Sequence, residues 1–544
     1  MANAEFQAPL VQTSSEGLKY LTDAGHDELL HWVTSTTDQV YAFTADADPL
    51  MVSAAMARLS RNANDARTIV ADEFYNKGEK DQELIGRVVN DFADDSVMQL
   101  FPVQMGFDNI SNIATKAVER GRFGSYLEQS SRYIRFDRRD TSGEFRYHKP
   151  AELDTQTAAE YKESLDDIFE IYSDLYQKAF EHIMATSPVP KDKQGLAWKN
   201  ACSAQALDSV RGLLPAAANA SVGFEGSAQS VFNMLLHLES ENLPELQKLG
   251  KAALSAVRGV APVFFERVDM PLRGQLASDN KRFTRADTRA LADRLMADRG
   301  FEVIQGAHVK LLGVDGSEDE LIAKILTDGS RYSYEQSAET VATLTDAEKQ
   351  EVIETYVGTR YNRRVKPGRA FELPHYLFEI QCDYGAFRDI QRHRVVDGFE
   401  WQPLQPYLGH SRPSVIDDTG LTEEYERAFE ISQRAYELLE SRGYQDQAQY
   451  ATLFGHYMRA TTKVNARSLT HTAELRTSPQ GHDSYRKVYQ DMYKAVEEVH
   501  PNVAKAMIFI NQEDDPKFNL ARLGAEEAKE RKMAAQAIAL ELDK

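Results

Sequence analysis

Two stretches of this sequence share one layout, and this layout decides the fold. Residues 109–133 read NISNIATKAVERGRFGSYLEQSSRY, and residues 384–405 read YGAFRDIQRHRVVDGFEWQPLQ. Each begins as an amphipathic helix, reaches an Arg-x-Arg triplet and opens into a predicted loop. Each is followed by a long predicted helix, a Leu- or Phe-rich turn at residues 213–215 or 453–455, and two further helices. We therefore predict two tandem copies of one unit.

The chain length agrees with a tandem arrangement. Single domains usually stop growing at about 250–300 residues, and this chain has 544 residues. The apolar periodicity is lost over residues 267–282, where we predict a loop. We place the first copy at residues 1–275 and the second at residues 276–544, with a charged, Ala-rich helical tail at residues 525–544.

Periodicity along the chain indicates a mixed α and β protein. The clearest predicted helices cover residues 157–184 and 422–442, and the clearest strand covers residues 376–382. Loops are predicted at residues 138–149 and 187–195.

Charge and composition exclude several classes of protein. The formal net charge is −21, with 63 Lys and Arg against 84 Asp and Glu, so the field of the protein repels nucleic acid and anionic membranes. The sequence shows no signal peptide and no apolar run long enough to cross a bilayer. We expect a cytoplasmic protein that binds neither nucleic acid nor membrane.

The thiols and imidazoles give no sign of a metal centre or a disulfide framework. The chain has 2 Cys and 13 His, and we find no His-Glu-x-x-His motif, no paired Cys motif and no His ligand spacing. Cys202 and Cys382 are predicted to lie inside a helix and a strand, where an inert buried thiol is the common case. We predict no metal site.

Three stretches could bind an anionic ligand. Arg392, His393 and Arg394 lie where a helix should end, and their donors suit a planar or phosphate-bearing anion. The alternative is a solvated basic helix end that interacts with the helix dipole.

The second stretch, residues 465–477, reads NARSLTHTAELRT. Helical spacing places Asn465 and Arg476 on one face, about 16 Å apart, and Arg467 and His471 on the adjacent face. An extended cofactor could reach both ends. An ordinary helix with a polar side is the alternative.

The third stretch, residues 125–133, gathers hydroxyl, acid, amide and guanidinium groups in a short predicted loop and could bind a phosphorylated sugar. Ser130 is not in a Gly-x-Ser-x-Gly elbow, so we do not interpret it as an acyl-transfer nucleophile. The alternative is a loop whose hydroxyls bind their own backbone.

Together these stretches resemble the flavin-dependent thymidylate synthases, whose signature is Arg-His-Arg, seven residues, Ser, and then x-Arg-Tyr. The second copy has the triplet at residues 392–394 but has Gln402 and Leu404 in place of Ser and Arg. The first copy has Arg-Gly-Arg at residues 120–122 and then seven residues before Ser130, followed by Arg132. The defects of the two copies are complementary.

The same division recurs downstream. Asn465, Arg467 and Arg476 match flavin-binding and pyrimidine-activating positions of the family, whereas the first copy reads Ser-Ala-Gln at residues 227–229. Arg211 matches a nucleotide-binding arginine that the second copy replaces with Gln449.

The resemblance covers roughly residues 95–265 and 366–510. It implies an α+β fold in which each copy is a small, mostly antiparallel sheet packed with long helices. Because active sites in the family form between subunits, it also implies a composite site built from both copies.

The resemblance implies a role for each candidate residue. The dUMP phosphate and ribose would be held by Glu128, Gln129, Ser130, Arg132 and Arg211. Arg476 would stabilise negative charge on the pyrimidine. The flavin would be held by Glu372, Arg392, His393, Arg394, Asn465, Arg467 and His471.

The implied reaction is reductive methylation of dUMP to dTMP, with FAD as cofactor and with NADPH and methylenetetrahydrofolate as co-substrates. No cysteine nucleophile is needed, and the implied assembly is a homodimer of tandem chains. Two alternatives remain. Asp389 or Ala117 stands where the family has a substrate-side glutamine, so the substrate could be another pyrimidine nucleotide. The chain could also be a non-catalytic nucleotide- or flavin-binding regulator.

Overall fold

A computed structural model of the chain describes residues 8–75, 80–91, 95–301, 303–513, 523, 524, 526–528, 530 and 531. The strands are β1 (Val11–Thr13), β2 (Lys19–Leu21), β3 (Pro102–Ser111), β4 (Ser125–Glu128), β5 (Asn219–Ser227), β6 (His308–Asp315), β7 (His375–Asp383), β8 (Gly398–Trp401) and β9 (Tyr457–Asn465). Most of the predicted tail at residues 525–544 lies outside the described residues.

The helices up to residue 300 are α1 (Asp23–Leu29), α2 (Pro49–Leu59), α3 (Ala66–Ile69), α4 (Lys80–Gly86), α5 (Asn112–Val118), α6 (Thr155–Thr186), α7 (Leu196–Val210), α8 (Ala228–Ser240), α9 (Pro244–Arg258), α10 (Pro262–Phe265) and α11 (Gly274–Met296). Those after residue 300 are α12 (Glu318–Asp328), α13 (Tyr334–Val341), α14 (Asp346–Val357), α15 (Tyr384–Ile390), α16 (Ser414–Asp418), α17 (Thr422–Ser441), α18 (Gln445–Ala448), α19 (Ala466–Arg476), α20 (Asp483–Val499) and α21 (Pro501–Lys505).

The order of elements repeats along the chain. The first series is β3, α5, β4, α6, α7, β5, α8, α9 and α10, and the second is β7, α15, β8, α17, α18, β9, α19, α20 and α21, with the short α16 before α17. The strand order is β3-β5-β4 in one sheet and β6-β7-β9-β8 in the other. Strand β4 pairs with β5, β6 with β7, and β9 with both β7 and β8, and all four pairings are antiparallel. The tandem α+β fold predicted from the sequence is confirmed.

Contacts divide the chain into two compact units, and each contains several segments. The first comprises Met1–Asp108, Ala117–Glu128 and Val222–Arg299, and the second comprises Asn109–Lys116, Gln129–Ser221 and Gly300–Lys544. In the first unit α8 packs against α9 and α11, and in the second α6 packs against α7 and α17. The second unit thus includes parts of both predicted copies. The copy boundary at residue 275 concerns the sequence repeat and stays a prediction.

Within the second unit, equivalent segments of the two series pair with each other. Pro215 and Leu453 form an antiparallel bridge. The amide of Ala216 donates to the carbonyl of Thr452 over 2.7 Å, and the amide of Phe454 donates to the carbonyl of Leu214 over 2.8 Å. When β5 is aligned with β9, residues 214–216 correspond to residues 452–454. Each of the two hydrogen bonds is therefore the counterpart of the other. The two segments are related by a local two-fold axis.

The register of β7 against β9 positions the helices that follow these strands. The pairing runs from His375 opposite Asn465 to Asp383 opposite Tyr457. Asp383 caps α15 and Asn465 caps α19, so these helices start at opposite ends of the sheet. The C-terminal residues of the two helices meet, because Arg476 contacts Asp389.

Several local predictions are confirmed and three are wrong. The long helices and the clearest strand correspond to α6, α17 and β7. The predicted loop at residues 125–133 contains the short strand β4, and the predicted loop after Arg394 contains the short strand β8. The predicted loop at residues 267–282 is wrong in its second half, because α11 begins at Gly274. The helical period of α11 is hard to see in the sequence, since most of its side chains are exposed.

No helix in the described part of the chain combines the length and apolarity needed to cross a bilayer. The cytoplasmic location stays a prediction.

Candidate active site

Two arginines, one from each series of elements, meet on the carboxylate of Asp389 in the second unit. Nη1 of Arg211 lies 3.4 Å from Oδ2 of Asp389, and Nη1 of Arg476 lies 3.3 Å from Oδ1. The Arg211 side chain is 3% exposed and that of Asp389 is 15% exposed. Such a cluster is largely shielded from water, which strengthens its electrostatic interactions.

A glycine makes this approach possible. Arg211 follows α7, and Asp389 lies on α15 one turn after Gly385. A Cβ atom at Gly385 would lie 3.3 Å from both Nε and Nη2 of Arg211 and 3.0 Å from Oδ1 of Asp383. A side chain at this position would therefore crowd the Arg211 guanidinium.

A third arginine, Arg132, forms an ion pair with a different carboxylate, that of Asp208. Its Nε and Nη2 donate to the two oxygens of Asp208 over 2.8 and 2.9 Å. Its Nη1 donates to the Tyr485 hydroxyl over 2.9 Å, and Nη2 also donates to the carbonyl of Gln480 over 3.2 Å. Burial opposes the charge, but Asp208 raises the pKa of Arg132, so its guanidinium stays protonated. Residues from both series thus fix Arg132.

Arg476 is held from a second side by His393. Its Nε donates to Nε2 of His393 over 2.7 Å, and its guanidinium lies 5.2 Å from the ring centroid of Tyr485. Burial, and next the charge of Arg476, keep the pKa of His393 well below its ordinary value. The imidazole is therefore neutral and accepts at Nε2, with its proton on Nδ1.

Positive charge outweighs the effect of burial at Asp389. Burial acts to raise the pKa of this carboxyl, but the charges of Arg211, Arg476, Arg392 and Arg132 together lower it. Asp389 is therefore ionised. These four guanidinium groups outnumber the carboxylates of Asp208, Asp383 and Asp389, which favours an anionic ligand.

Gln129 and Ser130 of the predicted substrate loop bind backbone amides. Oε1 of Gln129 accepts from the amide of Ser221 over 3.2 Å, and Oγ of Ser130 accepts from the amide of Arg132 over 3.3 Å. The Ser130 bond favours the alternative in which the loop hydroxyls bind their own backbone, whereas the Gln129 bond ties the loop to β5. Glu128 is buried at the end of β4 and belongs to the first compact unit.

A second basic cluster surrounds the first turns of α19. Nε of Arg467 donates to the carbonyl of Pro367 over 2.8 Å, and its Nη1 lies 3.4 Å from Oε1 of Glu372. Nδ1 of His471 is buried and has no hydrogen-bond partner among the described residues. Burial, and then the charges of Lys366 and Arg363, lower the pKa of His471. This cluster can accept a group that carries phosphate.

The other predicted cofactor residues lie at helix ends. Oδ1 of Asn465 accepts from the amide of Ser468 over 2.8 Å and so caps α19. Arg392 and Arg394 follow the end of α15, where Arg392 is exposed and Arg394 is half-buried. The solvated-end alternative fits Arg392 better than His393, which contacts Arg476.

Sequence reasoning missed Asp208, Tyr485 and His482. Asp208 precedes Arg211 by three residues in α7 and its turn, but its carboxylate pairs with Arg132, 76 positions away, and this spacing does not indicate that pair. Nε2 of His482 lies 3.3 Å from the Asp208 carbonyl. His482 and Tyr485 belong to the start of α20, whose period indicates only a helix that buries one face.

Among the described residues, no three His, Cys, Asp or Glu side chains are grouped so that they could hold a metal ion.

Residues 39–263 and 318–502 match the thymidylate synthase complementing protein family. The chain therefore belongs to this family. It is 29% identical over 520 residues to a UPF0159 protein of Chlamydia muridarum, covering 92% of this chain and 97% of that protein. It is 24% identical over 191 residues to a flavin-dependent thymidylate synthase of Clostridium tetani, covering 34% of this chain and 71% of that protein.

A solved structure also matches one part of the chain. A UMP/dUMP methylase of Streptomyces cacaoi, bound with 5-Br dUMP, aligns with 39% of this chain and 98% of its own chain, at 16% identity and a TM-score of 0.31.

Proposed function

We propose that this chain is a flavin-dependent thymidylate synthase that converts dUMP to dTMP, with methylenetetrahydrofolate as the one-carbon donor and NADPH as the reductant. Membership of the thymidylate synthase complementing protein family and the match to the Clostridium tetani enzyme support this assignment. The observation that carries it is the convergence of Arg132, Arg211 and Arg476 on two carboxylates.

The first series of elements would bind the nucleotide phosphate through Arg132 and Arg211. Nη2 of Arg211 is buried and has no hydrogen-bond partner among the described residues, so it has a donor for a phosphate oxygen. Arg132 is held by Asp208 and the Tyr485 hydroxyl. A guanidinium fixed in this way loses less side-chain entropy when it binds phosphate.

The second series would act on the base through Arg476. His393 and Asp389 engage its Nε and Nη1, which leaves Nη2 as the guanidinium nitrogen for a ligand. A fixed positive charge in a part-buried site stabilises negative charge that develops on the pyrimidine. Arg476 is thus the residue that we assign to activation of the base.

The basic cluster around α19 fits FAD. Arg467, His471 and Lys366 offer guanidinium, imidazole and ammonium donors for its diphosphate, and Nδ1 of His471 lacks a partner among the described residues. Glu372, close to Arg467, would orient that side chain. When bound, FAD supplies the hydride transfer chemistry of the reaction, and the protein supplies position and charge.

Neither thiol of the chain is suited to nucleophilic attack. Cys202 and Cys382 are both buried, and burial raises the pKa of Cys202 to about 11 and that of Cys382 well above its ordinary value. A thiol of this kind stays protonated and unreactive. This supports a route that needs no cysteine nucleophile.

The first test is the visible absorption spectrum of the purified protein before and after dUMP is added, followed by a dTMP assay. We expect flavin bands that shift with dUMP, and dTMP that depends on NADPH and methylenetetrahydrofolate. A shift with UMP or dCMP and none with dUMP would identify another pyrimidine nucleotide as substrate. A colourless protein that FAD does not reconstitute would contradict the enzyme assignment and favour a regulator.

We also propose that two tandem chains associate, as the resemblance to a family of subunit-bridging enzymes implies. Light scattering should give twice the 61.3 kDa mass of one chain. A monomer at working concentration would contradict this assembly.

A further inference from the structure

We propose that Asp389 is a positioning residue that couples Arg211 of the first series to Arg476 of the second, so that a change at one arginine alters the other. The kinetic part of this proposal rests on the proposed function. The geometric part concerns the protein alone.

Each oxygen of the Asp389 carboxylate contacts one guanidinium. Oδ2 lies 3.4 Å from Nη1 of Arg211, and Oδ1 lies 3.3 Å from Nη1 of Arg476. Both contacts use Nη1, so the Nη2 groups remain for a ligand. The carboxylate therefore fixes the separation of two donors that come from different halves of the chain.

Four arginines act on the single negative charge of Asp389, and of these Arg211 and Arg476 contact the carboxylate. If Arg211 loses its guanidinium, more of the Asp389 charge acts on Arg476 and offsets more of the positive charge that Arg476 offers to a ligand. His393 cannot compensate, because it is a neutral acceptor of the Arg476 Nε proton. When the Asp389 charge is removed, a change at Arg211 should no longer alter Arg476 through this carboxylate.

Arg132 provides an internal comparison. Its guanidinium is paired with Asp208 through two hydrogen bonds and does not depend on Asp389 for a partner. The charges of Arg132 and Asp389 also act on each other. The effect of losing Arg132 on Arg476 should therefore differ between the Asp and Asn backgrounds, but by less than the effect of losing Arg211, which contacts Asp389 directly.

The geometric test needs no substrate. Phenylglyoxal modifies arginine side chains, and the rate at Arg476 can be followed by mass spectrometry of peptides. A carboxylate partner protects a guanidinium, so Asp389→Asn should raise this rate about threefold or more, and Arg211→Met should lower it about twofold, within the range of coupling between contacting residues. In the Asp389→Asn background, Arg211→Met should leave the rate unchanged.

An Arg476 rate that is the same in wild type and Asp389→Asn would overturn the proposal. So would an effect of Arg211→Met that is equal in both backgrounds. If Asp389→Asn does not fold, as judged by circular dichroism, Asp389→Gln removes the same charge. If Arg211→Met does not fold, Arg211→Gln removes the same cation.

The kinetic test uses dUMP with the complete flavoprotein. With Asp389 present, Arg211→Met should raise KM and also lower kcat about tenfold. The fall in kcat is expected because the Asp389 charge then offsets more of the positive charge of Arg476. In the Asp389→Asn background it should raise KM alone. An equal fall in kcat in both backgrounds would contradict the link. If wild type forms no dTMP, the proposed function fails, and the phenylglyoxal rates still decide the role of Asp389.

Discussion

Arg476 and His393 share a short hydrogen bond in which the Arg476 Nε donates to His393 Nε2 over 2.7 Å. Protonation of His393 would replace this acceptor with a donor that faces a cation. Burial and the Arg476 charge keep the pKa of His393 well below its ordinary value, so the neutral form persists as the pH falls through 6.5. We expect kcat to show no histidine titration near pH 6.5.

The pH–rate profile checks this expectation. His393→Gln keeps an acceptor and should retain more activity than His393→Leu, which has none. An acid limb near pH 6.5 in wild type that disappears in His393→Gln would contradict a neutral His393.

Arg476→Ala should depress turnover far more than it weakens flavin binding. Removal of one donor that stabilises developing charge typically lowers kcat by about 10²–10³. Single-turnover kinetics and flavin release on dilution measure the two effects separately. Arg434→Ala is a matched control, since that side chain is 66% exposed on α17. Equal losses of turnover and of flavin would disprove the role assigned to Arg476.

Asp208→Asn should weaken nucleotide binding without abolishing flavin binding. The substitution leaves Arg132 without its carboxylate partner, so the guanidinium is less well fixed. We expect KM for dUMP to rise about tenfold, which corresponds to ~1.4 kcal/mol. The control is Asp417→Asn, which weakens the exposed pair with Arg412. If Asp208→Asn leaves KM unchanged, the assignment of Arg132 to phosphate binding is contradicted.

Arg360→Met should destabilise the second unit. Arg360 and Glu474 form a fully buried ion pair in which Nη1 and Nη2 reach the two carboxylate oxygens over 2.7 and 2.6 Å. Burial raises the pKa of Glu474 even beside Arg360, so the carboxylate depends on its partner. Removal of one member of a buried pair costs about 3–5 kcal/mol.

Urea denaturation measures this loss in the free energy of unfolding. Arg412→Met, which removes a surface pair, should cost at most about 1 kcal/mol. Similar losses for the two variants would mean that the buried pair contributes no more to the free energy of unfolding than the surface pair does.

One chain should bind one nucleotide at the proposed site. The equivalents of Asp389 and Arg476 in the first series are Ala117 and Leu238, and the equivalent of Arg211 in the second is Gln449. A reciprocal site therefore lacks all three charged groups. Titration calorimetry with dUMP should give one site per chain, and two equal sites would refute a single composite site.

The repeat and the long elements could be predicted because periodicity and motif order are local properties of the sequence. The strands β4 and β8 were missed, since four residues between polar turns carry too little alternation to be distinguished from a loop. The start of α11 was missed because an exposed helix lacks an apolar stripe.

The site could be predicted only where a motif marks it. Arg132, Arg211 and Arg476 stand in recognisable settings, and the structure brings them close together. Asp208 and Tyr485 were not found, because their value lies in contacts with Arg132 across 76 and 353 positions of the chain. Such contacts have no signature in a single sequence.

The antiparallel bridge between Pro215 and Leu453 has a consequence for how the chain can change. In a symmetric pair of identical subunits, every substitution falls in both sites at once. Here the partners are joined covalently and are no longer identical, so Ala117 and Leu238 can serve as buried apolar residues while Asp389 and Arg476 keep their charges. The two repeats can therefore diverge as two different partners would, while the peptide bond keeps them at a ratio of one to one.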